Sequence, residues 1–177
     1  MYRFKASEKK DAKLHAQLFG SGTIMYEVLK AQKILEEKYD VASDVWSVTS
    51  YKNLYRDGID SERWNMLHRG EQPRVPYVTQ CLKDAPGVFV AASDYMKVLP
   101  ESIRQWVPRS LIALGTDGFG RSENRESLRE FFEVDAKFVV LATLDALVRE
   151  GQLKAEVVQK AIKDLGIDPN KPNPAIS

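Results

Sequence analysis

The 177-residue sequence predicts a three-layer α/β domain built on a parallel sheet. Two patterns carry that prediction. Short apolar runs recur at GVFVAAS and SLIALG, as in strands covered on both faces. Around them lie segments whose apolar residues return at helical spacing, the alternation that favours a parallel sheet. The last third differs, because its apolar pattern is helical throughout.

The elements follow in order. MYRFKAS reads as an edge strand beside AKLHAQLFG, where Leu14, Ala16 and Leu18 alternate with His15, Gln17 and Phe19. Gly20-Ser21-Gly22 then turns the chain, and Ile24, Met25, Val28, Leu29, Gln32 and Leu35 mark a helix to about Tyr39. SDVWSVTS is the next strand. Helices are expected at about 74–84, with Tyr77, Cys81 and Leu82 on one face, and at about 94–106. Beyond SLIALG, three helices are marked by Leu128, Phe131 and Phe132, by Val139 to Leu147, and by Leu153 to Leu165. Asp135 is placed to cap the second, and Gly151 and Gly166 stand where C-terminal cap glycines belong. The tail DPNKPNPAIS, residues 168–177, is too rich in proline to continue a helix.

This length suits one domain, spanning 1–177. Lys and Arg number 26 against 25 Asp and Glu, so no basic surplus exists to neutralise a phosphate backbone, and nucleic acid is not an expected partner. No apolar run approaches the roughly 20 residues that cross a bilayer, and the N-terminus lacks the apolar centre of a signal peptide. A cytoplasmic location and no membrane partner are expected. Cys81 is the only cysteine, which excludes a disulfide within the chain, and with only His15 and His68 beside it no structural zinc site is expected.

Chemistry-bearing residues gather in two stretches. LGTDGFGRSENRESLREFFEVD has glycines at 115, 118 and 120, in the reverse of the dinucleotide-binding order. Asp117-Gly118 is a turn signal, Ser122 is a candidate cap for the following helix, and Glu123 and Glu126 suit its positive end. A turn leaves Phe119 and Arg121 unexplained. They are residue types that anchor contacts to a neighbouring subunit or domain. The second stretch, DSERWNMLHRGEQPRVPY, shows no clear periodicity and reads as a surface loop carrying Trp64 and His68. A histidine near Glu62 suits acid–base chemistry or a structural contact alike.

LGTDGFGRSENRESLREFFEVD, together with FGSGTI, SDVWSVTSYKNLYRDGIDSERWNMLH, RVPYVTQCLKDAPGVFVAASDYMK and AKFVVLATLDALVREGQL, resembles the homodimeric, thiamine-diphosphate-dependent dehydrogenases of the pyruvate dehydrogenase complex. GTDGFG alone points only to the wider transketolase superfamily, whereas ERWNMLH and REFFEVD narrow it. The resemblance implies a transketolase C-terminal-like domain with one antiparallel edge strand, excised from a longer chain. It also implies an enzyme that decarboxylates pyruvate and acetylates the lipoyl group of an acetyltransferase component. Its thiamine diphosphate and magnesium sit on two earlier domains, so no catalytic, cofactor or metal residue transfers to this chain. The implied partners are the enzyme's own N-terminal and middle domains, the homodimer partner and the acetyltransferase. The role expected here is scaffolding and dimerisation, with Trp64, His68, Asp117, Phe119 and Arg121 as interface candidates and no activity for the domain alone. The alternative is a regulatory module binding an anion or nucleotide near Gly20–Thr23 and Thr116–Ser122, at the ends of the parallel strands. An autonomous enzyme using Cys81 or His68 is a third possibility.

Overall fold

The structure is a computed structural model describing residues 1–9 and 11–177. Its sheet comprises β1 (Tyr2–Lys5), β2 (Leu14–Gly20), β3 (Val41–Ser47), β4 (Val88–Ala92) and β5 (Leu111–Leu114) in the order β1-β3-β2-β4-β5. β2 to β5 are parallel, and β1 runs antiparallel to β3 at the edge. The mostly parallel sheet with one antiparallel strand is as expected. The position of β1 is not: it lies beside β3 rather than β2. Both edges of β2 are already occupied, by β3 through seven residue pairs and by β4 through five, so the free outer edge of β3 receives the exposed β1.

Strand alternation divides the core. Ala16, Leu18, Val45 and Val90 turn to one face, where α1 (Met25–Lys38), α6 (Ala136–Arg149) and α7 (Ala155–Asp164) supply Val28, Leu35, Val140, Leu144 and Ala161. Phe19, Trp46 and Phe89 turn to the other, against α2 (Tyr51–Leu67), α3 (Tyr77–Leu82), α4 (Val98–Glu101) and the 3-10 turn Arg104–Trp106. The Phe19 and Phe89 rings meet edge to face at 6.0 Å.

α2 is the largest departure from the sequence reading. Its buried stripe is Tyr51, Leu54, Gly58 and Ser61, whose spacing is helical although two members are not apolar. Gly58 is required by packing, because a Cβ there would stand 2.5 Å from the Trp106 indole. That indole donates to Glu62 across 2.9 Å. His68 therefore lies at the C-terminal end of a 17-residue helix, not in a loop.

α3 is shorter than predicted and buries Val78 and Leu82, leaving Tyr77 exposed at its first turn and Cys81 half-buried. The expected 94–106 helix is broken, since residues 93–97 bond to the segment after β5 instead of continuing a helix. α5 (Arg125–Phe131) is capped not by Ser122 but by Asn124, three residues before the Ser127 N–H that its side chain accepts from at 2.9 Å. Asp135 caps α6 as expected, accepting from Phe138 N–H at 3.1 Å, and Gly151 and Gly166 take positive φ. The proline-rich tail folds back: Lys171 donates to the Glu130 and Phe131 carbonyls, and Pro174 is buried.

Candidate functional site at the carboxyl edge of the sheet

β2 and β4 are neighbours whose final residues, Gly20 and Ala92, stand side by side. From there the chain goes into α1 on one face and towards α4 on the other, which makes their carboxyl ends the topological switch point of the sheet. Ser21 donates to Ser93 at 3.2 Å, and Thr23 to Asp94 at 3.4 Å.

The segment after β5 is laced to the segment after β4. Thr116 N–H donates to the Tyr95 carbonyl and the Thr116 hydroxyl to that of Asp94, while Asp117 accepts from Lys97 N–H at 3.1 Å. Gly115 is the residue this approach needs, since a Cβ would lie 2.6 Å from both Lys97 N and Tyr95 O. Gly118 turns with φ +103°, and a side chain there would run into the Pro174 carbonyl of the tail. Beyond this fixed frame Phe119 projects 82% exposed. The Arg121 guanidinium lies over the Phe131 ring, 4.7 Å from its centroid.

Between these loops and α5 is an open cleft of about 570 Å³. Its polar wall holds Thr23, Asp94 and Arg121, Arg125 and Arg129, and its apolar wall Leu128, Phe132 and Val134. Arg129 is fixed from below: it donates to Glu27 at 3.0 Å and to the Thr23 hydroxyl at 3.1 Å. Glu27 is only 6% exposed and also accepts from Lys30 and from Ala136 N–H, so its charge is compensated on three sides. Behind this wall, burial is the main influence on Asp135 and pushes its carboxyl above the ordinary value.

The interface candidates form two groups. Asp117, Phe119 and Arg121 share the carboxyl-edge loop. Trp64 and His68 lie near the far end of α2, a helix about 25 Å long that starts at the same edge. There the two rings stack at 4.4 Å and 8°, the Arg74 guanidinium lies 4.4 Å from the Trp64 centroid, and His68 Nδ1 lies 2.9 Å from the Trp64 carbonyl. His68 thus engages Trp64 rather than a carboxylate. Glu27, Asp94 and Arg129 were absent from the sequence reading. Within α5, Arg125 and Arg129 stand four residues apart, a helical spacing that could have pointed to part of this wall.

Among the described residues, no three His, Cys, Asp or Glu side chains gather into a metal set, and no helix is long and apolar enough to cross a membrane.

A family profile described as the transketolase-like TK C-terminal domain matches residues 1–135. The pyruvate dehydrogenase E1 component of Pseudomonas aeruginosa is 52% identical over 94% of this chain and 19% of its own length. That of Escherichia coli is 49% identical over the whole chain and 20% of its own length. The chain thus spans about a fifth of these relatives. Two solved structures share the fold at low identity. A split-gene transketolase, described as an inactive β4 tetramer, has a TM-score of 0.54 at 20% identity, covering 78% of this chain and 41% of its own. The transketolase from Leishmania mexicana has a TM-score of 0.52 at 19% identity, covering 81% of this chain and 17% of its own. With the sheet order, the profile match and these relatives in agreement, the chain belongs to the transketolase-like C-terminal domain family.

Proposed function

We propose that this chain is the C-terminal scaffolding and dimerisation domain of a thiamine-diphosphate-dependent pyruvate dehydrogenase. In that enzyme pyruvate is decarboxylated on domains outside this chain, with thiamine diphosphate and magnesium, and the acetyl group passes to the lipoyl group of an acetyltransferase. The observation that carries this reading is the 49% identity to an E1 component along the entire chain. An identity of that level along the whole chain fits a domain with the same neighbours.

The geometry supports a packing role. Around the carboxyl edge, Tyr95, Met96, Val98 and Phe119 are all more than half exposed, although the backbone beneath them is tightly bonded. Large apolar side chains on a stiff frame suit a surface that another domain or the second subunit covers. Phe119 is the central contact in this reading. Asp117 anchors its loop through Lys97, Arg121 stands beside it, and Trp64 and His68 form a separate patch at the opposite edge.

The test is a domain exchange. This chain replaces the matching fifth of the Pseudomonas aeruginosa E1 component, and the chimaera is assayed for dimer mass and pyruvate-dependent reduction of lipoyl acceptor. Dimeric, active chimaera is expected, with no turnover by the 177-residue chain alone when thiamine diphosphate and magnesium are added. Pyruvate turnover by the isolated chain would contradict the proposal, as would a folded chimaera that neither dimerises nor reacts.

A further inference from the structure

The cleft between the 115–121 loop and α5 has features that packing alone does not explain. Three guanidiniums line it, and only Arg129 is neutralised, by Glu27. Among the described residues, neither Arg121 nor Arg125 forms an ion pair with a carboxylate. Arg121 is nevertheless held in place: its guanidinium carbon lies over the Phe131 ring, 4.7 Å from the centroid, and among the described residues its N–H groups find no hydrogen-bond partner. Arg125, the first residue of α5, lines the same cleft. The cleft is also lined by a carboxylate, Asp94, and by the apolar surfaces of Leu128, Phe132 and Val134.

We infer that this cleft binds a small phosphorylated, hydroxyl-bearing molecule of nucleotide type. The phosphates bind the open donors of Arg121 and Arg125, planar forks that match two phosphate oxygens at once. The Asp94 carboxylate accepts from a ligand hydroxyl, as ribose provides, and the flat apolar end lies against Leu128 and Phe132. A volume of about 570 Å³ falls within the range of small-molecule sites, and the cleft lies at the switch point where open α/β sheets bind ligands. Asp94 makes a bare inorganic anion the poorer ligand, because its charge opposes any anion that offers no hydroxyl. The site shares its loop with the proposed contact surface: Thr116, Gly118, Gly120 and Arg121 line the cleft, whereas Phe119 is not among its lining residues and is 82% exposed.

The experiment titrates the chain with ADP, pyrophosphate and adenosine by calorimetry, and follows backbone amide shifts. ADP is expected to saturate with a Kd below about 1 mM, and to move the Thr23, Thr116 and Leu128 amides. Arg121→Gln and Arg125→Gln should each weaken ADP roughly tenfold, with unaltered melting curves because both side chains are exposed. Arg149→Gln, on the remote end of α6, should leave binding unchanged. Asp94→Asn should have opposite effects, weakening ADP while strengthening pyrophosphate, which a nonspecific cationic surface would not produce. Failure of both ADP and pyrophosphate to saturate would overturn the inference. So would binding indifferent to the Arg121 and Arg125 substitutions, or amide shifts confined to other surfaces.

Discussion

Two regions of this molecule carry an aromatic residue, a basic residue and a turn, and the fold treats them differently. Around Trp64 the cationic and aromatic groups satisfy one another. His68 stacks on one indole, Arg74 covers it as well, and the Asn65 side chain both donates to and accepts from the Arg74 backbone. Around Phe119 the backbone is equally well bonded, but the ring meets solvent across 82% of its surface. Residue type therefore does not tell how exposed a side chain remains in the fold. What matters is how much of each side chain remains available after the chain has packed against itself.

The contrast predicts different consequences for substitution. The largest should come from the frame of the exposed loop. Gly115→Val forces a branched side chain against the Tyr95 carbonyl and Lys97 amide, and should cost roughly 3 kcal/mol or more in chemical denaturation. Trp64→Ala should cost about 2 kcal/mol, because it removes a ring stacked within the domain, without changing any association. If Trp64→Ala instead left stability intact and disrupted assembly, the distinction between the two regions would be wrong.

Asp135 sharpens the comparison behind the loop, where its cap fixes the start of α6. Asp135→Ala should lose about 1 kcal/mol. The pH dependence has a definite sign. Burial raises the folded-state carboxyl above its ordinary value, so the native protein holds this proton more tightly than the unfolded chain. The associated stability is fully present below the unfolded value and is lost as pH rises through the raised folded one. Asp135→Asn keeps a cap without titrating, so the fall in stability across that window should flatten in parallel denaturation curves. A steeper fall would contradict the assignment. The smallest effect belongs to Phe119→Asp, expected within about 0.5 kcal/mol of the wild type by denaturation because the ring touches little of its own domain.

What the sequence disclosed depended on the range of the interaction. The ends of α6 and α7 were legible because Asp135, Gly151 and Gly166 act on backbone groups a few residues away. β4 was legible because both of its faces are buried, which demands the uninterrupted run VFVAA. α2 was not: Gly58 and Ser61 complete its buried stripe, and the reason for Gly58 is an indole at position 106. Asn124 and Ser122 are both competent caps, and only the phase of α5 selects between them. In the cleft, the glycine turn and Arg121 stood out locally, whereas the Glu27–Arg129 pair joins residues 102 apart and required the fold.

The proposed role of the Phe119 loop as a contact surface within a larger enzyme is open to light scattering on the E1 chimaera over a concentration series, with and without Phe119→Asp. The unsubstituted chimaera should be a dimer, and the substitution should raise its dissociation constant roughly tenfold or more with the melting curve of this domain unchanged. A dimer of identical mass and concentration dependence in both proteins would contradict it.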